Sequence, residues 1–436
     1  METIARWLRK LVPTKVADFV RPAYHLVLAV IGETVYRFPG NKLTVIGVTG
    51  TNGKSTTANL IASVLEEGGY AVGLATTINY KIGDKAWRNE SKMTSLGRFG
   101  TYRLLRQMVN AGCTHAVIEV SSHALHWNRV WKVPFQTAVF TNLSRDHLDL
   151  HKTMEKYRAT KGKLFARLAD RGAVKTLAVI NADDAEADYF ASFGAGRTIY
   201  FSASGKPHHS AETLVAEAIS SNSAGSHCTA KLDTEVLEVK VALPGRFNVE
   251  NALAAAAVGL GHGVSAQKIA KGIFKVKEVP GRMESVDAGQ PFAIIVDYAH
   301  TPDAFDNVLK TLRPLTKRRL IGVFGATGDR DRGKRPDLGR IAAQYCDRLI
   351  LTEEDPGSED PAAIIDEVLP GIPPTTDYVI ELDRRVAIRK ALSEAQAGDT
   401  VVLLAKGHET VMAYRDGMKP WSDQTVARDE WKHLSS

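Results

Sequence analysis

The stretch "VIGVTGTNGKSTTANLI", residues 45–61, combines residue types and spacing suited to holding a phosphate. An apolar strand-like run leads into Gly50, Thr51, Asn52, Gly53, Lys54, Ser55 and Thr56, and a helical pattern follows. Glycines let backbone N–H groups close on phosphate, the helix N-terminus adds a favourable dipole, and Lys54 can bridge phosphate oxygens. Ser55 or Thr56 offers a hydroxyl to Mg²⁺. Val48 stands where the usual G-x-x-x-x-G-K-[ST] loop has its first glycine, so this is a shortened form of that loop.

Further polar clusters stand at the ends of apolar runs. In "AVIEVSSHAL", Glu119 is placed to hold Mg²⁺ or to solubilise a strand end, and Ser121, Ser122 and His123 favour a polar site. In "FTNLSRDHLDLH", Asn142, Arg145, Asp146, His147, Asp149 and His151 crowd one strand end, where open α/β sheets bind ligands. His147 could hold a metal or contact a phosphate. By spacing alone Lys161, in "KYRATKGKLF", is a lysine on a solvated helix face. Asn248 and Asn251 lie one helical turn apart, which suits either reading a base edge or capping by Asn248. Asp297 and His300 follow a strand-like run in "IIVDYAHTPDAF". Arg330, Arg332, Lys334 and Arg335 form a cationic loop suited to phosphate or carboxylate, and Lys406, His408 and Glu409 follow the run 400–404.

Positioning these groups requires alternating strands and helices. Strand-like runs fall at 43–49, 116–120, 137–141, 176–180, 293–296, 320–324, 348–351 and 400–404. Helical patterns fall at 56–67, 99–111, 157–168, 249–260, 301–312 and 338–346. The alternation predicts βαβ units and mainly parallel sheets. A Ser-, Ala-, Gly- and His-rich stretch at 202–226 reads as a loop or irregular strands on the rim of the first sheet, and Val279-Pro280-Gly281 as a hinge. The expected organisation is a helical segment over 1–41, an ATP-binding α/β domain over 42–279 and a Rossmann-like α/β domain over 280–436.

Composition narrows the partners. The 436 residues carry a net charge of +7, with 44% hydrophobic and 24% charged residues, as in an ordinary soluble protein of two or three domains. Basic residues are scattered apart from Arg6, Arg9, Lys10 and Lys15 near the start and the run Lys317-Arg318-Arg319, so no nucleic-acid footprint emerges. Cys113, Cys228 and Cys346 are isolated, which argues against disulfides or a zinc site and fits a reducing cytoplasm. The apolar run 23–32 is too short to span a bilayer, and it follows basic residues. It is expected to pack on the next domain, with a basic amphipathic helix on a partner or membrane surface as the alternative.

The motifs "GVTGTNGKST", "IEVSSHAL", "TNLSRDHLDLH", "FNVENALAA", "VPGRME", "VDYAHTPDA", "GATGDRDRGKRP" and "AKGHE" together resemble those of the Mur ligases from about residue 42 to near the C-terminus. The resemblance implies an ATP-dependent, ADP-forming ligase of peptidoglycan biosynthesis. A carboxylate of a UDP-MurNAc-L-Ala-D-Glu-type acceptor would attack the γ-phosphate of ATP, and an amino acid's amine would then attack the acyl phosphate. It also implies site roles. Residues 50–56 with Asn248, Asn251, Arg282 and Asp297 would bind ATP. Ser55, Glu119, His147 and a carbamylated Lys161 would support two Mg²⁺ ions. Ser121, Arg129, Asp355 and Glu409 would contact substrates. Lys54, Glu119, His147 and Lys161 form the implied catalytic set, which reverses the solvated reading of Lys161. Two departures stand out. Only about 40 residues precede the first strand, too few for the family's UDP-gripping domain. "TEEDPGSEDP" stands where diaminopimelate-adding relatives read D-D-N-P-R, which disfavours diaminopimelate and weakly favours lysine or ornithine. The competing readings are a related ligase acting on a polyglutamate, folate or pseudopeptidoglycan precursor, and a nucleotide-binding subunit of a complex.

Overall fold

The strand β1 (Thr44–Thr49) lies at the centre of an eleven-stranded sheet. The computed structural model describes residues 14–91, 94, 96, 97, 99–169, 175–209 and 211–436. The basic positions Arg6, Arg9 and Lys10 lie outside the described residues. The sheet's other members are β2 (Val72–Ala75), β3 (Asn79–Ile82), β4 (Lys85–Arg88), β5 (His115–Glu119), β6 (Phe135–Phe140), β7 (Leu177–Asn181), β8 (Arg197–Ser202), β9 (Thr213–Asn222), β10 (Gly225–Leu232) and β11 (Glu235–Val241). They run in the order β11-β10-β9-β8-β7-β6-β1-β5-β2-β3-β4. From β2 to β9 across the centre the pairing is parallel, and both edges finish in antiparallel hairpins.

Parallel strands covered on both faces must be apolar throughout, and β5 and β7 are buried at every position. Helices Lys54–Gly68 and Arg246–Gly261 cover one face of this sheet. The run Ala252–Val258 is wholly buried there, its small side chains allowing close approach. The other face carries the helices Gly100–Asn110 and Met154–Ala169, with Tyr102, Phe165 and Phe190 in the core.

A second sheet follows, of β12 (Glu284–Ser285), β13 (Ala293–Asp297), β14 (Leu320–Phe324), β15 (Arg348–Leu351), β16 (Tyr378–Ile380) and β17 (Thr400–Leu404), ordered β12-β13-β17-β14-β15-β16. Only β12 is antiparallel. Between the sheets, Val279 and Arg282 bridge across a tight turn in which Gly281 has φ +66°. A Cβ there would lie 2.0 Å from the backbone nitrogen of His408, so only glycine fits.

The rim stretch at 202–226 takes the strand alternative rather than the loop. Thr213–Asn222 and Gly225–Leu232 pair antiparallel, with a register shift between His227 and Thr229, and extend the first sheet. Apart from Thr213, Val215 and Ile219 the Ser- and Ala-rich stretch has few of the β-branched and aromatic residues that advertise strands, so pairing decides its structure. Among the described residues, no helix is long and apolar enough to cross a membrane.

Candidate functional site

Sheet order explains why distant motifs meet. Because β6, β1 and β5 are neighbours, the loops after Thr49, Glu119 and Phe140 leave the same edge side by side. The phosphate loop is tied to its neighbour, with Thr51 N donating to Asn142 O and Asn52 N to Asn142 Oδ1, both at 2.8 Å. Gly50 has φ +152°, and a Cβ on it would sit 1.9 Å from Thr141 Oγ1. Gly53 has φ +81° and opens the helix Lys54–Gly68. The first bond of that helix joins Thr57 N to Gly53 O, so the amides of Lys54, Ser55 and Thr56 precede it and are available to an anion.

Around this loop stand the catalytic candidates. Ser55 Oγ donates to Glu119 Oε2 at 2.7 Å, and Thr77 donates to the same carboxylate through N at 2.8 Å and Oγ1 at 2.9 Å. Lys54 Nζ donates to Thr51 O at 2.7 Å. Burial pulls the Lys54 ammonium below its usual range, with Glu119 opposing the shift. His147 lies 3.3 Å from Asp146 and is held well below the ordinary imidazole range by burial. Asp146 stays strongly acidic despite burial because His147, Lys334 and His300 surround it. Ser121 caps the helix Ser122–His126, and Arg129 stacks 4.8 Å over Trp127.

Lys161 overturns the solvated-face reading. Its side chain is 1% exposed, donates to Gly50 O at 2.6 Å and lies 4.4 Å from the Tyr157 ring. Burial, reinforced by Lys54, pushes its amine well below the usual lysine range. The missed signal was periodicity. Tyr157, Lys161, Leu164, Phe165 and Leu168 form one buried stripe, and a lysine at a core position is the anomaly.

Three connected clefts run along this edge. One of about 670 Å³ is lined by Asn52, Gly53, Thr56, Phe247, Asn251, Arg282 and Asp297. A second, of about 1170 Å³, joins Lys54, Ser55, Glu119, Ser121, Arg129, His147 and Arg282. A third, of about 1260 Å³, joins His147, His300, Arg330, Lys334, Asp355 and Glu409. Asn251 lines the first cleft while Asn248 buttresses it, accepting from Asn251 Nδ2 at 3.1 Å and donating to Pro244 O at 2.8 Å. Asp297 accepts from Met283 N and Ala299 N, both at 2.7 Å, which aligns the turn carrying Arg282. Thr77, Phe247, Glu250 and Trp127 also line these clefts without standing out in the sequence. They lie on loops or helices whose local pattern is unremarkable.

The cationic loop is only partly available. Arg335 is fully buried and spent on Glu359 and Glu367, and Arg332 also pairs with Glu367. Arg330 and Lys334 remain at the clefts, each 3.9 Å from a carboxylate of the first sheet's loops, Asp149 and Asp146. Asn52 Nδ2 to Asp303 at 2.7 Å and Arg145 to Asp331 at 3.2 Å join the two halves further. In the third cleft, Lys406 Nζ is buried, 2.7 Å from Asp355 and paired with Glu409, so one ammonium partly offsets three carboxylates including Glu354.

A triphosphate-type loop facing a second α/β unit across continuous clefts defines a two-domain, nucleotide-dependent ligase. Residues 48–259 match the Mur ligase middle domain, and residues 281–407 match the Mur ligase glutamate ligase domain. The chain belongs to the Mur ligase family and is an ATP-dependent ligase. It is 40% identical over 423 residues to a UDP-N-acetylmuramyl-tripeptide synthetase of Roseiflexus sp. (strain RS-1), covering 93% of this chain and 82% of that one. It is 41% identical over 412 residues to a UDP-N-acetylmuramoyl-L-alanyl-D-glutamate–2,6-diaminopimelate ligase of Geobacillus thermodenitrificans (strain NG80-2), covering 94% and 83%. A solved structure of a ligase with the latter name aligns at TM-score 0.63 and 31% identity, over 94% of this chain and 83% of that one.

Proposed function

We propose that this chain adds an amino acid to a UDP-MurNAc-L-Ala-D-Glu-type acceptor, at the expense of ATP, in the formation of a peptidoglycan precursor in the cytoplasm. The observation that carries the reading is the convergence of Lys54, the Ser55–Glu119 pair and buried Lys161 on one phosphate loop. In this reading residues 42–279 bind ATP and residues 280–436 receive the amino acid. The base lies beside Phe247 and Asn251, and Arg282, shared by the first two clefts, reaches the phosphates.

The acceptor carboxylate, held near Ser121 and Arg129, attacks the γ-phosphorus, and ADP leaves. The resulting acyl phosphate is attacked by the amine, and inorganic phosphate departs from the tetrahedral intermediate. Negative charge moves among oxygens throughout, so Lys54, Arg282, Arg330 and Lys334 stabilise it by position. The oxygen donors Ser55 and Glu119 fit a hard cation such as Mg²⁺, and His147 would hold a second. Mg²⁺ supplies charge neutralisation of the phosphates. The lowered pKa of Lys161 favours the neutral amine, the form that combines with carbon dioxide, and the carbamate would place an anion beside the loop. The Glu354, Asp355 and Glu409 carboxylates favour an incoming residue with a distal amine, lysine or ornithine, over one with an added carboxylate.

The test is phosphate release from ATP with an amino-acid panel, UDP-linked and UDP-free muramoyl dipeptides being run side by side. Amino-acid-dependent release with the UDP-linked acceptor is expected. Release only with a different carboxylate acceptor would overturn the substrate assignment.

A further inference from the structure

Over its described side chains, residues 23–35, the helix Thr14–Val35 has two apolar faces, and only one packs on the body. Ala29, Gly32 and Glu33 are buried against the body, where Gly32 abuts Tyr102. At 3.6 residues per turn, Tyr24, Val27, Ile31 and Val35 fall within about 80° on the other side. They are 52%, 57%, 44% and 64% exposed, and Phe38 just beyond them is 49% exposed. Burying one face and leaving a second apolar stripe in water costs solubility for no gain in folding, so the stripe marks a contact.

Charge and area decide what makes that contact. Residues 1–21 contain Arg6, Arg9, Lys10, Lys15 and Arg21 against Glu2 and Asp18. Between residues 19 and 41 the sole carboxylate is Glu33, which is buried, while Arg37, Lys42 and Lys132 are exposed. Even with Val30, 40% exposed beside it, the stripe covers one face of about four helical turns, far below the roughly 800 Å² per partner of a stable protein interface. It does match an interfacial helix, whose apolar residues enter the headgroup boundary while cations meet anionic lipid. The position also matters. His25 stacks on Trp127 at 6.0 Å, and Trp127 lines the cleft that holds Ser121 and Arg129.

We propose that this helix docks the chain on an anionic membrane surface through Tyr24, Val27, Ile31 and Val35, with the acceptor cleft opening beside the lipid. The full chain is mixed with vesicles of phosphatidylcholine alone or with phosphatidylglycerol added, and bound protein is measured by flotation. Binding is expected only with phosphatidylglycerol, weakening as salt rises. Val27→Asp with Ile31→Asp, both at exposed positions, is expected to lower binding about tenfold or more, with an unchanged thermal melt and unchanged ATP turnover on soluble substrates. Arg9→Glu with Lys10→Glu is expected to lower it through charge alone. Equal binding to both vesicle types, no binding to either, or binding untouched by these substitutions overturns the proposal. Loss of self-association in the aspartate variant without vesicle binding by the parent assigns the stripe to a second copy and overturns it too.

Discussion

Replacing Lys161 separates its structural part from the catalytic part proposed for it. Lys161→Met keeps the stem that packs among Tyr157 and Leu164 and removes only the amine, leaving the Gly50 carbonyl without its 2.6 Å donor. An unpaired buried acceptor costs about 1–3 kcal/mol. Removing an amine that burial and Lys54 already disfavour in its charged form recovers part of that. The net loss is about 1–2 kcal/mol, and the Met variant should remain folded at 25 °C by circular dichroism. Lys161→Ala adds a cavity and should cost about 2–4 kcal/mol. Turnover should fall much further than stability, by about 10–100-fold or more, the scale at which groups supporting a metal act. The assay is ADP formation at saturating Mg²⁺ with acceptor and amino acid. Adding formate or acetate should restore part of the activity of the Ala variant, whose cavity admits a small carboxylate, and none of the Met variant, whose side chain fills the space. Depleting bicarbonate should slow the parent alone. A folded Met variant with parental turnover would refute the reasoning, and so would failed rescue of a folded Ala variant.

Three further substitutions test other parts of the site and fold. Gly53→Ala places a Cβ 2.3 Å from Asn251 Oδ1 at φ +81°, a conformation costing about 1–2 kcal/mol; the KM for ATP should rise about tenfold or more, and an unchanged KM would count against the loop geometry. Glu33 is buried and its carboxyl is raised to about 7 by burial, against Lys132. The stability it contributes is therefore full below about pH 4.5, falls as pH rises and is lost above about 7. Glu33→Gln should match the parent at pH 5 and exceed it by up to about 2 kcal/mol at pH 8, read as Tm at both values, and an equal difference at both would sink the assignment. Lys406→Met leaves Glu354, Asp355 and Glu409 facing one another and should cost about 3 kcal/mol by denaturant melt, more at pH 8 than at pH 5, because burial raises the Glu354 carboxyl and its protonation relieves the repulsion; the opposite pH trend would contradict it.

The alternation of strands and helices, the phosphate loop and the strand-end clusters are legible along the chain, because periodicity and glycine placement are local properties. Asparagines 248 and 251 could be seen to share a helix face, but not that one lines the cleft while the other supports it. Tertiary structure alone decided which cations are spent. Arg332 and Arg335 belong to the same short cationic run as Arg330 and Lys334, yet carboxylates at 359 and 367 claim them. It also decided the fate of Lys161, since the strand order β6-β1-β5 and a helix laid across it turn an ordinary-looking lysine onto the Gly50 carbonyl. Spacing states which residues can share a face. Only packing states whether that face meets water, a carboxylate or the loop that holds a phosphate.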